Sequence, residues 1–153
     1  MKFTPGQAQE TLELSPATFR HWKGTLPPLA GRNGYAPCFS PGDLLALAVT
    51  KTLTDDIGIR VGNLYGIAES LFEHCAHNSW AALERMILII EPTVGRVHSV
   101  PESQPLPING LAIALPLRPL VATLRARLLL EQVETPQETL RFPPTALASA
   151  RQK

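Results

Sequence analysis

The chain has 153 residues, 44% of them hydrophobic and 18% charged, which excludes a disordered or fibrous protein and leaves room for one ordinary domain or two small modules. A formal net charge of +1 means that any case for a nucleic-acid partner has to rest on how charge is distributed, not on its total. Two cysteines, Cys38 and Cys75, are too few for a disulfide framework and lack zinc-site spacing, so a reducing, cytoplasmic setting is expected. The Met-Lys-Phe-Thr-Pro start carries no signal pattern and no apolar run approaches the roughly 18 residues of a membrane span, so neither export nor a membrane is expected.

In chain order, proline marks the first three helices by one recurring device. Thr4-Pro5, Ser15-Pro16 and Ser40-Pro41 each place a hydroxyl N-cap before a proline at the first helical position, where its missing N–H costs nothing. Gln7 completes a capping box with Thr4, and Asp43 stands in the same relation to Ser40, where its charge also suits the positive end of the helix dipole. A first helix from about Pro5 to Leu12 and a second from Pro16 to about Lys23, with a few residues between them, make a helix-turn-helix. The stretch from Thr25 to Tyr35 is rich in Pro and Gly and contains Asn33-Gly34, the pattern of a hairpin wing with its tip at Arg32 to Gly34.

A third helix is predicted from Pro41 to about Asp56, burying Leu44, Leu45, Leu47, Ala48 and Leu53, and a fourth from Arg60 to about His77, with Val61, Leu64, Tyr65, Ala68, Leu71, Phe72 and Cys75 along one face. Met86 to Ile90 and Arg96 to Val100 read as a strand pair, Pro101 to Gly110 as a loop and Leu111 to Leu115 as a third strand. Leu117, Leu120, Val121, Leu124 and Leu128 then line a closing helix. The expected class is mainly α with a small β component: a DNA-binding winged helix-turn-helix over 1–77, a small α/β module for dimerisation or sensing over 78–133, and an extended or disordered tail over 134–153.

No acidic residue occurs between Glu13 and Asp43, while Arg20, His21, Lys23 and Arg32 all fall there, which gives a neutral protein a local basic face. The run Ala17-Thr18-Phe19-Arg20-His21-Trp22 resembles the second helix of the MerR family of transcriptional regulators. Asn33-Gly34-Tyr35 resembles that family's wing, Phe39-Ser40-Pro41-Gly42-Asp43-Leu44 its third-helix start, and Ile57-Gly58-Ile59-Arg60-Val61 the glycine turn before its fourth helix. The resemblance covers residues 3 to about 68 and implies that the second helix enters the major groove while the wing follows the backbone and minor groove. It makes Thr18, Arg20, His21 and Lys23 candidates for base and phosphate contact and Arg32 and Tyr35 candidates on the wing, with Phe19 and Trp22 in the core. Two features depart from the family: Ala36-Pro37 follows the wing tyrosine where an arginine is usual, and the long dimer helix with its metal or drug site is not evident.

The function implied is a sequence-specific double-stranded DNA-binding transcriptional regulator acting as a homodimer, with RNA polymerase or another protein as a further partner. The alternative is an excisionase-like or architectural DNA-binding protein, or an adaptor that docks a protein partner with the same surface. The expected dimer contact is helix four together with the segment from Trp80 to Leu130, whose leucines outnumber what one helix face turns inward. No cofactor and no metal is expected: Glu73-His74-Cys75-Ala76-His77 holds metal-ligating residue types, but Cys75 continues the apolar stripe. Cys38 has only a neighbouring proline and the absence of acids to suggest a redox role. No G-x-S-x-G, Walker loop or H-E-x-x-H occurs, and Asp55-Asp56 suits a solvated helix end, so an enzyme is not expected.

Overall fold

The structure is a computed structural model that describes residues 1–134, with side chains described through residue 129. Helices α1 (Pro5–Leu12) and α2 (Pro16–Thr25) are followed by a 3₁₀ turn (Pro27–Leu29) and helix α3 (Pro41–Asp55). A second 3₁₀ turn (Val61–Leu64) leads into α4 (Tyr65–His77) and the one-turn α5 (Trp80–Leu83). Strands β1 (Met86–Glu91), β2 (Arg96–Pro101) and β3 (Ile113–Pro116) form an antiparallel sheet in the order β2-β1-β3, and α6 (Arg118–Glu134) closes the described chain. The fold is therefore mainly α with a small β component. The tail expected over 134–153 lies, but for Glu134, outside the described residues.

The helix starts follow from local chemistry. Thr4 Oγ1 accepts from the Gln7 N–H at 3.2 Å while Gln7 Oε1 accepts from the Thr4 N–H at 2.9 Å, and Ser40 and Asp43 repeat this reciprocal box at the head of α3. Ser15 Oγ caps α2 by accepting from the Thr18 N–H at 3.1 Å. The turn between α1 and α2 is tight because Glu13 adopts a left-handed conformation, φ 52°, ending α1 on the pattern that helix C-termini favour.

Helix α3 is buried nearly all round: Leu44, Leu45, Leu47, Val49 and Leu53 are inaccessible, because α1, α4 and α6 surround it. Gly42 permits the tightest of these contacts, since a Cβ there would lie 2.5 Å from the Cys75 carbonyl oxygen. Trp80 Nε1 donates to the Pro41 carbonyl at 2.9 Å and pins α5 to the same corner.

The sheet and α6 do not stand apart from the helix-turn-helix. β2 lies against α4, α6 returns across α1 and α3, and Leu88, Ile90, Val97, Leu117, Val121 and Leu124 belong to the same buried cluster as Phe19 and Leu44. Arg127 clamps α6 to α1, donating to the Thr11 carbonyl at 2.8 Å and pairing with Glu13 at 2.9 Å. In consequence Leu64, Leu71, Phe72 and Leu124, counted above toward a contact between two chains, are covered within one, while Tyr65 and Leu129 remain exposed. Among the described residues no helix is long and apolar enough to cross a membrane.

Two expectations are corrected. Helix four does not begin at Arg60: Gly62 and Asn63 are poor helix formers, and the chain makes a 3₁₀ turn there before α4 proper. The hairpin wing also does not form. Pro27, Pro28 and Pro37 lack the N–H groups a strand ladder needs, so the chain makes a 3₁₀ turn and then a loop with Gly31 and Gly34 at positive φ. That loop is closed at its base by the Phe3–Phe39 bridge, in which Phe3 N–H donates to Phe39 O at 2.8 Å and Phe39 N–H to Phe3 O at 3.0 Å.

Candidate nucleic-acid interface

Helix α2 is anchored by one face and offered to solvent by the other. Phe19 and Trp22 are buried, with the Phe19 ring tilted against Phe39 at 5.8 Å between centroids. Ala17, Arg20, His21 and Gly24, spaced three, four and seven along the helix, form the exposed stripe opposite. Arg20 and His21 are its only long side chains. A Cβ built on Gly24 meets nothing within 4 Å, so this end of the stripe has no bulk between the helix backbone and an approaching surface. Sequence reasoning picked out Arg20 and His21 but passed over the two small residues flanking them, although their helical spacing was readable.

The other predicted residues divide. Thr18 is half-buried, and its hydroxyl accepts from Ser15 Oγ at 2.8 Å, so it belongs first to the cap of α2. Lys23 is half-buried too, with its ammonium 5.5 Å from the centre of the Phe19 ring, a cation–π position. It nevertheless lines an open groove with Tyr35 and Gly34 on one side and Thr4, Pro5, Gly6 and Gln9 of α1 on the other. Tyr35 is 96% exposed. The groove thus joins one predicted cation and one predicted aromatic with the N-terminus of α1, which sequence reasoning did not include. Pro5 has no N–H and the capping box takes those of Thr4 and Gln7. Among the described residues this leaves the Gly6 N–H as the first-turn donor with no partner in the chain, at the positive end of the helix dipole.

Arg32 is not a free wing-tip cation. Its Nη1 lies 2.7 Å from Asp43 Oδ2, and its guanidinium sits over the Phe39 ring at 5.3 Å. Asp43 is a buried carboxylate that also accepts from the Ser40 N–H and Oγ, and a buried charge needs a partner. Arg32 supplies it, so this residue fixes the loop against α3.

No protein-family model matches the chain, and no curated protein matches it either. The remaining candidates point in different directions. His74 Nε2 lies 2.9 Å from Ser99 Oγ, whereas His77 Nδ1 donates to the Glu73 carbonyl at 2.7 Å and Cys75 faces the core between them. Among the described residues no three or more His, Cys, Asp or Glu side chains are grouped so as to hold a metal ion. Burial lowers the pKa of His74 from its ordinary value, with His98 adding to the effect. Burial also pushes the Cys75 thiol up to about 12, helped by the Asp43 carboxylate, which keeps it protonated and unreactive at neutral pH.

Proposed function

We propose that this protein is a sequence-specific double-stranded DNA-binding regulator of transcription, with α2 as the helix that enters the major groove. The observation that carries the reading is the stripe Ala17, Arg20, His21 and Gly24: a narrow exposed face with one guanidinium, one imidazole and two small residues. Phe19 and Trp22 hold this face rigidly, and no carboxylate lies in the sequence between Glu13 and Asp43. Arginine pairs with guanine through two hydrogen bonds, and small residues let the helix backbone approach the base edges. The groove beside α2 suits the DNA backbone, with Lys23 as a point charge, Tyr35 as a hydroxyl donor and the N-terminus of α1 as an anion seat. Arg32 is left out of this role because Asp43 already holds it. The resemblance to MerR-type domains supports the same placement of α2.

The test is fluorescence anisotropy with labelled genomic fragments at several salt concentrations. Binding is expected to weaken as salt rises, with log K falling by about 0.9 per neutralised phosphate for each unit of log salt. Lys23→Ala should reduce that slope by about one. Failure of every fragment to bind above background at low salt would overturn the reading.

A further inference from the structure

We propose that two copies of this chain associate through β3, edge to edge, about a two-fold axis passing by Ala114. The inference rests on the sheet and does not depend on the DNA-binding reading.

The register decides which backbone groups of β3 are free. β1 and β3 pair antiparallel with Leu88 opposite Leu115 and Ile89 opposite Ala114, and the Leu117 N–H donates to the Met86 carbonyl at 3.1 Å. Alternation along an antiparallel ladder then turns the N–H groups of Ile113 and Leu115 toward β1 and that of Ala114 away from it. Pro116 also points away, at a position where it has no N–H to lose from the ladder. At the other side of the sheet a face of β2 lies against α4, with Ser99 Oγ on His74 at 2.9 Å, and the turn before β2 is tied to α4 by Gly95 O accepting from Ser70 Oγ at 3.5 Å. Among the described residues the outward N–H of Ala114 has no partner.

An open edge of this kind is ordinarily protected by charge, usually lysine, because it templates pairing with another strand. Here the charge is missing, and β3 is blunted only by its four-residue length and by Pro116 at its end. Not one residue from Ser103 to Leu117 is charged, and the charges that flank the segment, Glu102 and Arg118, neutralise each other at 2.7 Å. The same segment exposes Leu106, Ile108 and Leu111, the last at 75%. Ile113 and Leu115 are only half covered by their own chain.

The edge is complementary to itself. With Ala114 opposite Ala114 of the second copy, the two residues exchange a pair of N–H to carbonyl bonds, and lengthening of β3 by one residue on pairing brings each Ala112 N–H to the Pro116 carbonyl across the axis. Pro116 costs only the outermost bond at each end. Ala112 and Ala114 are small enough to let the strands close, and Leu111 comes beside the junction, where an apolar side chain gains cover. Two identical edges are thus satisfied in one closed contact, and no charge is buried. Any other protein would need an uncharged edge of matching register, whereas a second copy has one by construction.

The experiment is sedimentation velocity of the full chain over a range of micromolar concentrations, compared with Ala114→Pro and Leu111→Asp. Ala114→Pro removes the outward N–H without touching the ladder to β1, so thermal unfolding followed by circular dichroism should show the protomer intact. Leu111→Asp places a charge opposite Leu117 of the second copy, three residues from the axis, and alters no backbone group. The wild type is expected to sediment as a dimer, and each variant is expected to weaken dimerisation at least about tenfold, the effect of roughly 1.4 kcal/mol. A wild type that stays monomeric throughout the range overturns the proposal, as does a folded Ala114→Pro dimer of unchanged affinity. Should Ala114→Pro fail to fold, Leu111→Asp decides alone: an unchanged dimer overturns the proposal, and a monomer supports it.

Discussion

The same substitution, glycine to alanine, should have opposite effects at two positions that both lie within helices. At Gly42 the new Cβ would sit 2.5 Å from the Cys75 carbonyl oxygen, 2.7 Å from the Ala76 Cα and 2.8 Å from the Cys75 carbonyl carbon. Comfortable carbon contacts begin at roughly 3.5 Å, and all three neighbours are backbone, so no side chain can swing aside. The head of α3 and the last turn of α4 must separate by about 1 Å, at the corner where Trp80 bonds Pro41 and Asp43 holds Arg32. Overpacking of this kind costs about 1 to 3 kcal/mol or more, while relief of the glycine penalty returns at most about 1 kcal/mol. The net expectation for Gly42→Ala is a loss of about 2 kcal/mol. Gly24 meets nothing within 4 Å of the same built atom, so Gly24→Ala should gain a few tenths of a kcal/mol, up to about 1. Urea denaturation followed by circular dichroism measures both, as a lower midpoint for the first variant and an unchanged or higher one for the second. A Gly42→Ala protein as stable as the wild type would refute the close crossing of α3 and α4.

Stability should also depend on pH through His74. Its folded pKa lies below the ordinary 6.5, so its contribution is fully present above that value and is lost as pH falls through the lowered folded value. Chemical denaturation from neutral to mildly acidic pH should therefore show a decline that His74→Gln reduces, and an equally steep decline in the variant would contradict the assignment. The two thiols should separate as well: a thiol reagent at neutral pH is expected to modify half-buried Cys38 well before buried Cys75. A Cys38→Ser protein should then resist the reagent until it is denatured, and rapid labelling of the folded variant would show Cys75 to be accessible.

What the sequence made legible was chiefly local. Thr4-Pro5, Ser15-Pro16 and Ser40-Pro41 mark helix starts because a cap needs only the residues beside it, and all three helices begin where the motif places them. Met86 to Ile90 and Arg96 to Val100 were readable as strands for the same reason, and each runs one residue further in the structure. The failures come where distant parts of the chain decide. Asn33-Gly34 favours a hairpin only if its flanks can pair, and prolines on both sides prevent that. Nothing near Arg32 announces that the carboxylate of Asp43 will take it, since that depends on the loop folding back over Phe39. The groove that gathers Lys23, Tyr35 and the head of α1 exists only once the Phe3–Phe39 bridge ties the N-terminus to the end of the loop. Leu64, Leu71 and Leu124, which looked available to a second chain, are absorbed when the sheet and α6 close over α4, α3 and α1, while Leu129 stays exposed.

Whether α2 reads base edges is decided most directly by comparing Arg20→Ala with Lys23→Ala on the strongest genomic site and on random duplex of equal length. If α2 lies in the major groove, Arg20→Ala should cost about 1 to 3 kcal/mol on the site and little on random duplex, relaxing base preference. Lys23→Ala should weaken both duplexes about equally. An equal loss on both duplexes for Arg20→Ala, or no loss on either, would contradict the assignment of α2 as the reading helix.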